Sequence, residues 1–138
     1  MKEKLMASIL SISEFFKIRL NAPLVNTRWS WGALSEDKKK IYLSIWADEI
    51  TVADGKTWVV ILNNDSNTSP AKQERIDHID LIKNGLSAYA LIKIAKDITS
   101  IPRDMKEFNS EYLRIIKNNF VTDENGRVLA ELGERLPV

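Results

Sequence analysis

The chain reads as an α+β domain: a curved, mostly antiparallel sheet or partial barrel with two main helices packed on it. Three observations predict this. Two helices carry explicit start signals, at Ser11-Ile12-Ser13-Glu14 and at Ser69-Pro70. Between and after them lie short β-branched runs separated by polar turns, the pattern of strands. One run, Lys40 to Trp46, is apolar on both alternating faces, which marks a central strand covered on both sides. At 138 residues the chain fits a single domain over 1–138.

In Ser11-Ile12-Ser13-Glu14 a capping box is expected, with Glu14 three residues after the N-cap serine. Ile12, Phe15, Phe16 and Leu20 follow at helical spacing, and Pro23 bars continuation, so a helix is expected over 12–20, with an earlier turn possible between Lys4 and Leu10. Residues 28–33 and 40–47 read as strands joined by the polar turn 34–39. Ile41, Leu43 and Ile45 share one face of the second; Tyr42, Ser44 and Trp46 share the other. Ala53-Asp54-Gly55-Lys56 is a turn, and Thr57 to Asn63 a third strand. The polar loop 63–69 leads to a helix from Pro70, with Ile76, Ile79, Ile82 and Leu86 along one side and Asn84-Gly85 as its stop. Residues 88–96 read as a strand and 102–108 as a short helical turn. Tyr112 to Val121 and Arg127 to Leu132 read as a closing hairpin across Asn125-Gly126, with a helix as the alternative for the first of them. Short loops between the first strands favour antiparallel pairing.

Composition excludes several classes of function. There is no cysteine and a single histidine, His78, so disulfides and zinc centres built from Cys and His are not expected. No run approaches the roughly twenty apolar residues of a membrane span, and no signal-peptide pattern is read, which makes the cytoplasm the default compartment. Net charge is +1, from 20 basic and 19 acidic residues, which gives no general basic excess for polyanion binding but allows a local basic patch.

The four tryptophans are the most informative feature. Trp29 and Trp31, two apart on an expected strand, would face one side and form an aromatic surface. One reading makes Trp29, Trp31, Trp46 and Tyr42 the walls of a pocket that stacks a planar group, with Arg28 or Asn26 bonding its edge. The other makes them core residues. Trp58, leading a β-branched run, reads as structural. Lys38, Lys39 and Lys40, with Lys56, can form a basic edge contacting nucleic-acid backbone or can simply keep a strand soluble. Asn64 and Ser66 in the polar loop can contact phosphates or merely form the turn. His78 is expected off the apolar face of its helix, paired with Glu74 at the surface. Asp48, Glu49 and Asp54 lie close in sequence, but no lysine-bearing nuclease pattern accompanies them. No phosphate-cradling glycine loop or nucleophile elbow is present, so no motif supports catalysis and no cofactor is expected.

The run Ala22-Pro23-Leu24-Val25-Asn26-Thr27-Arg28-Trp29-Ser30-Trp31-Gly32-Ala33 resembles the N-terminal domain that precedes HNH nuclease domains in bacterial modification-dependent restriction endonucleases. The likeness continues through residues 41–50 and 75–85 and into Tyr89-Ala90. It implies a reader domain of the PUA-like or EVE-like type that flips a modified cytosine or adenine into a pocket, in a restriction or defence setting. DNA is the implied partner, with a nuclease partner or a fused nuclease domain possible. The chain departs from the pattern in lacking the nuclease half, whose His and Cys residues are absent. The alternative function is a protein–protein interaction module or regulatory subunit of a larger complex, since tryptophan is common at interface hot spots.

Overall fold

The computed structural model describes residues 10–65, 68–100 and 103–138. Over these residues it is a mixed α+β fold: eight strands in one open sheet with two helices. Helix α1 runs from Ile12, opening as an α-helical turn to Glu14 and widening into a π-helical turn over Phe15–Arg19. The strands are β1 Gly32–Leu34, β2 Lys40–Trp46, β3 Ile50–Ala53, β4 Lys56–Leu62, β5 Ser87–Ala95, β6 Met105–Phe108, β7 Tyr112–Thr122 and β8 Val128–Pro137; helix α2, Pro70–Lys83, lies between β4 and β5.

The local start signals act as read. Ser11 Oγ accepts from the Glu14 amide and Glu14 Oε1 accepts from the Ser11 amide, each at 3.2 Å. Ser69 Oγ accepts from the Lys72 amide ahead of α2. The hairpin β7–β8 turns on Gly126 at φ +79, a conformation in which a side chain is disfavoured; Tyr112–Thr122 is therefore strand, not helix.

Strand order is β1-β2-β5-β7-β8-β4-β3, with β6 also on β5. β1 meets β2 antiparallel, as expected. However, β2 and β4 are not neighbours. β2 lies parallel to β5, and β4 pairs instead with β3 and β8. One edge of β5 is shared: β7 covers Ala88 to Ala90, and β6 takes over from Lys93 to Ala95. Three further expectations change. The strand read over 28–33 begins only at Gly32, because Thr27–Trp29 is a turn. Ile50–Ala53 is a strand that short length and exposure concealed. Met105–Phe108 is a strand rather than a helical turn, its side bonded to β5. The turn suggested between Lys4 and Leu10 falls almost wholly outside the described residues.

The sheet curls. Ile41, Leu43 and Ile45 of β2 share one core with Val59 and Ile61 of β4, with β8 residues Ala130 and Leu132, and with Ile79 and Ile82 of α2. Strands second and sixth in order reach one cluster only if the sheet bends around α2. On the opposite face, α1 sets Phe15, Phe16 and Leu20 against Ala33, Tyr42, Leu91 and Leu113. Both faces of β2 are thus covered, which is why both alternating sets are apolar.

Gly32 lets β1 approach β2 closely: a Cβ there would lie 2.5 Å from the Tyr42 carbonyl oxygen. Gly32→Ala is expected to destabilise by about 1–3 kcal/mol, the range for overpacking. A urea titration reads this as a lowered midpoint with unchanged slope; an unchanged midpoint refutes it.

Candidate functional site

The organising residue is Arg75, on the inward face of α2 and 5% exposed. Among the described residues its guanidinium pairs with no carboxylate at bonding distance. Nη1 donates to the Ile61 carbonyl of β4 at 2.7 Å; Nη2 donates to the Ser44 carbonyl of β2 at 2.9 Å and to the Trp31 carbonyl at 2.8 Å. Arg75 therefore bridges the seam where the curled sheet brings β4 back toward β2. Burial pulls its pKa down to about 10, opposed by Glu74 and Glu49, so it stays charged at neutral pH.

Above this seam lies a cavity of about 610 Å³. Trp31 stands at its rim, 41% exposed, with the Arg75 guanidinium 5.8 Å from its ring centre. Trp46, at the end of β2, forms another wall. Its ring carries the Lys93 ammonium at 4.0 Å and the Arg103 guanidinium at 5.4 Å. Trp46 and Lys93 are register partners across the parallel β2–β5 pair, which fixes them side by side. Arg103 also holds Asp48 at 2.6 Å. Lys72, from the first turn of α2, lines the cavity and pairs with Asp65 at 3.0 Å.

Two wall groups have shifted acidity. Burial pulls the Lys93 ammonium down to about 8; Arg75 and Arg103 add to the shift and Glu49 opposes it. Burial raises the Glu49 carboxyl, with Arg103 opposing and Asp48 adding. The site combines an aromatic wall, an aromatic rim, several cations and a carboxyl whose pKa burial raises. Such a set can hold a planar, anionic molecule, stacking its rings and bonding its polar edge.

The structure divides the residues singled out in the sequence. Trp31 and Trp46 line the cavity. Tyr42 does not: it is buried beneath α1, stacked on Tyr89 at 5.5 Å between ring centres. Asn26 is engaged in its own turn, accepting from the Arg28 amide at 2.9 Å while its amide donates to Ser30 Oγ. Exposed Arg28 and half-buried Trp29 ride on that turn, away from the cavity wall. Trp29 and Trp31 thus do not form one strand face. Lys38, Lys39 and Lys40 sit at the β1–β2 connection and Lys56 opens β4; both β2 and β4 are interior strands, so these lysines form no common sheet edge. Asn64 donates to the Asn125 carbonyl at 3.1 Å, tying its loop to the β7–β8 turn. Ser66 lies outside the described residues.

His78 is not a surface partner of Glu74. It is buried, its Nδ1 has no hydrogen-bond partner among the described residues, and burial with Arg75 nearby pulls its pKa down to about 4. Glu74 instead accepts from Ser30 Oγ at 3.3 Å. Asp54 occupies the β3–β4 turn at φ 55, apart from Asp48 and Glu49. Glu131 is buried and held by Lys117 and Asn119. Among the described residues no group of His, Asp and Glu is arranged to hold a metal, and no helix is long and apolar enough to cross a membrane.

Sequence reasoning passed over Arg75 and Lys93, and each had a signal. Arg75 lies on the α2 stripe with Ile79 and Ile82, at spacings of four and seven. Lys93 continues the alternating set of Tyr89 and Leu91 on a covered strand face. Comparison of the chain with protein-family models, with curated proteins and with solved structures finds no match in any of the three.

Proposed function

We propose that this protein is a DNA-binding reader without catalysis of its own, which receives an extruded, modified base in the seam cavity. The observation that carries the reading is the placement of Trp31 and Trp46 on one cavity whose remaining wall supplies Lys72, Lys93 and Arg103. A flipped base needs an apolar surface to replace lost stacking and polar groups for its edge, while cations position the strand by its phosphates. The rim position of Trp31 suits stacking, because part of its ring is open; the Trp46 ring is already occupied by cations. The curled sheet is compatible with a PUA-like partial barrel, and the resemblance of the Arg28-to-Gly32 run supports a restriction or defence setting, with a nuclease as partner.

Duplexes carrying a modified cytosine or adenine are expected to bind more tightly than plain duplexes. Trp31→Ala should weaken binding by about tenfold or more, corresponding to the roughly 1–3 kcal/mol of one aromatic–base stack. Fluorescence anisotropy at low salt measures this, with circular dichroism confirming the fold. Equal binding of modified and plain duplexes, or no binding at all, would refute the reading. A stable co-purifying protein with no oligonucleotide shift would favour the interaction-module alternative.

A further inference from the structure

We propose that Lys93 is a nucleophilic lysine that captures an aldehyde-bearing, anionic ligand in the seam cavity as an imine, with Glu49 moving the protons. The inference uses the same cavity as the reader function but does not require the ligand to be nucleic acid.

The geometry around Lys93 differs from that of the paired lysines. Lys72 holds Asp65 at 3.0 Å and Lys117 holds Glu131 at 3.2 Å. Lys93 has neither an ion pair nor a hydrogen bond to its ammonium among the described residues; it rests on the Trp46 ring at 4.0 Å. Glu49, the carboxylate that acts on it, forms no ion pair with it among the described residues, and Asp48 is held by Arg103, which shares the same ring. Three charged groups act on Lys93 from the surrounding elements: Arg75 from α2, Arg103 from the segment before β6, and Glu49 from the turn after β2. Burial and the two arginines bring it to about 8. A desolvated lysine beside other cations is a recognised way to make an amine nucleophilic near neutral pH.

Glu49 lines the same cavity, and no hydrogen bond or ion pair engages its carboxyl among the described residues. Burial raises its pKa, the direction that suits a group passing protons. The reaction balances without an oxidant or reductant. The Lys93 Nζ lone pair adds to the aldehyde carbon, and the carbonyl electron pair moves to oxygen, which takes up the proton shed by nitrogen. Glu49 then protonates the resulting hydroxyl; water leaves as the C=N bond forms, and the Glu49 carboxylate recovers its proton from nitrogen. One amine and one aldehyde give one imine and one water. Lys72 and Arg103 on the wall favour a ligand that also carries an anionic group, and Trp31 favours a planar one. A free phosphorylated aldehyde and an aldehyde borne on a nucleic acid, such as an abasic sugar, share this chemistry.

The test exposes the full chain to one equivalent of pyridoxal 5′-phosphate, and in parallel to a duplex containing one abasic site. Each mixture is trapped with cyanoborohydride and mapped by peptide mass spectrometry. Lys93 should be labelled at least about tenfold faster than any other lysine, as expected for a nucleophile activated by its site. The rate should rise with pH through about 8. Lys93→Arg should remove the selective label, and Glu49→Gln should slow labelling without moving it to another lysine. Labelling by the small aldehyde alone identifies a free ligand, and labelling by the abasic duplex identifies a nucleic-acid source; either supports the inference. Label spread evenly over surface lysines of the folded wild-type protein, or absent from Lys93 with both probes, overturns it. In that case tighter binding of modified duplexes would leave the reader function standing. Conversely, selective Lys93 labelling with no duplex binding would remove the reader function and keep the reactive lysine.

Discussion

Arg75→Met is expected to lower stability by about 3–5 kcal/mol, as when a buried hydrogen-bond network is broken. The substitution keeps much of the apolar stem and deletes the three donated bonds. The carbonyls of Ile61 and Ser44 lose the guanidinium as donor at the seam. The Trp31 carbonyl keeps the Ser44 amide and hydroxyl, so the damage there is smaller. Hydrogen bonds from a charged donor are worth roughly 1.5–3 kcal/mol each, and abandoned acceptors inside the fold add their desolvation cost. Chemical denaturation measures the loss. A change below about 1 kcal/mol would show that the seam does not depend on Arg75, since surface substitutions fall in that range.

The second large effect is a pH dependence centred on His78. Its pKa is about 4 in the fold against 6.5 for an ordinary histidine, and burial is the main cause, with Arg75 adding and Asp77 opposing. The folded state therefore keeps His78 neutral where the unfolded chain would protonate it. Stability is complete above about pH 6.5 and falls as pH drops from 6.5 toward 4. The pKa difference corresponds to about 3 kcal/mol lost across that window. Carboxylates such as Glu131 also weaken the fold in acid, so the comparison is between variants. His78→Leu should flatten the decline between pH 7 and pH 4 by about 2–3 kcal/mol. It also removes a buried nitrogen that has no partner among the described residues. Parallel declines for the variant and the parent, followed by urea titration at each pH, would refute the assignment.

What was legible in the sequence was local. Ser11 with Glu14, Ser69 with Pro70, and Asn125 with Gly126 each act within a few residues, and each marks its element correctly. The double apolar alternation of β2 correctly announced a covered central strand. What failed depended on distant partners. Nothing near Lys40 to Trp46 specifies that its parallel neighbour is Ser87 to Lys93. The Trp29 region looked extended, but the bonds between Asn26 and Ser30 close it into a turn. His78 seemed to lie off the apolar stripe of α2, yet a helix plugged into a curled sheet is covered over a wider arc than its isoleucines mark. The candidate site was half visible: Trp31 and Trp46 were named from residue type, whereas Arg75 and Lys93 acquire meaning only once β2, β4 and β5 converge.

The parallel partnership of β2 with β5 also shapes how the chain must be assembled. The β3–β4 and β7–β8 hairpins close over a few residues, but β2 waits for a strand that begins more than forty positions later, at Ser87. During synthesis, β1, β2 and the β3–β4 hairpin have left the ribosome before β5 does. In that interval one side of β2 presents unpaired amides and carbonyls between two apolar faces, the arrangement most prone to pairing with another chain. A strand that lies inside the finished sheet is thus the most vulnerable edge of the nascent one.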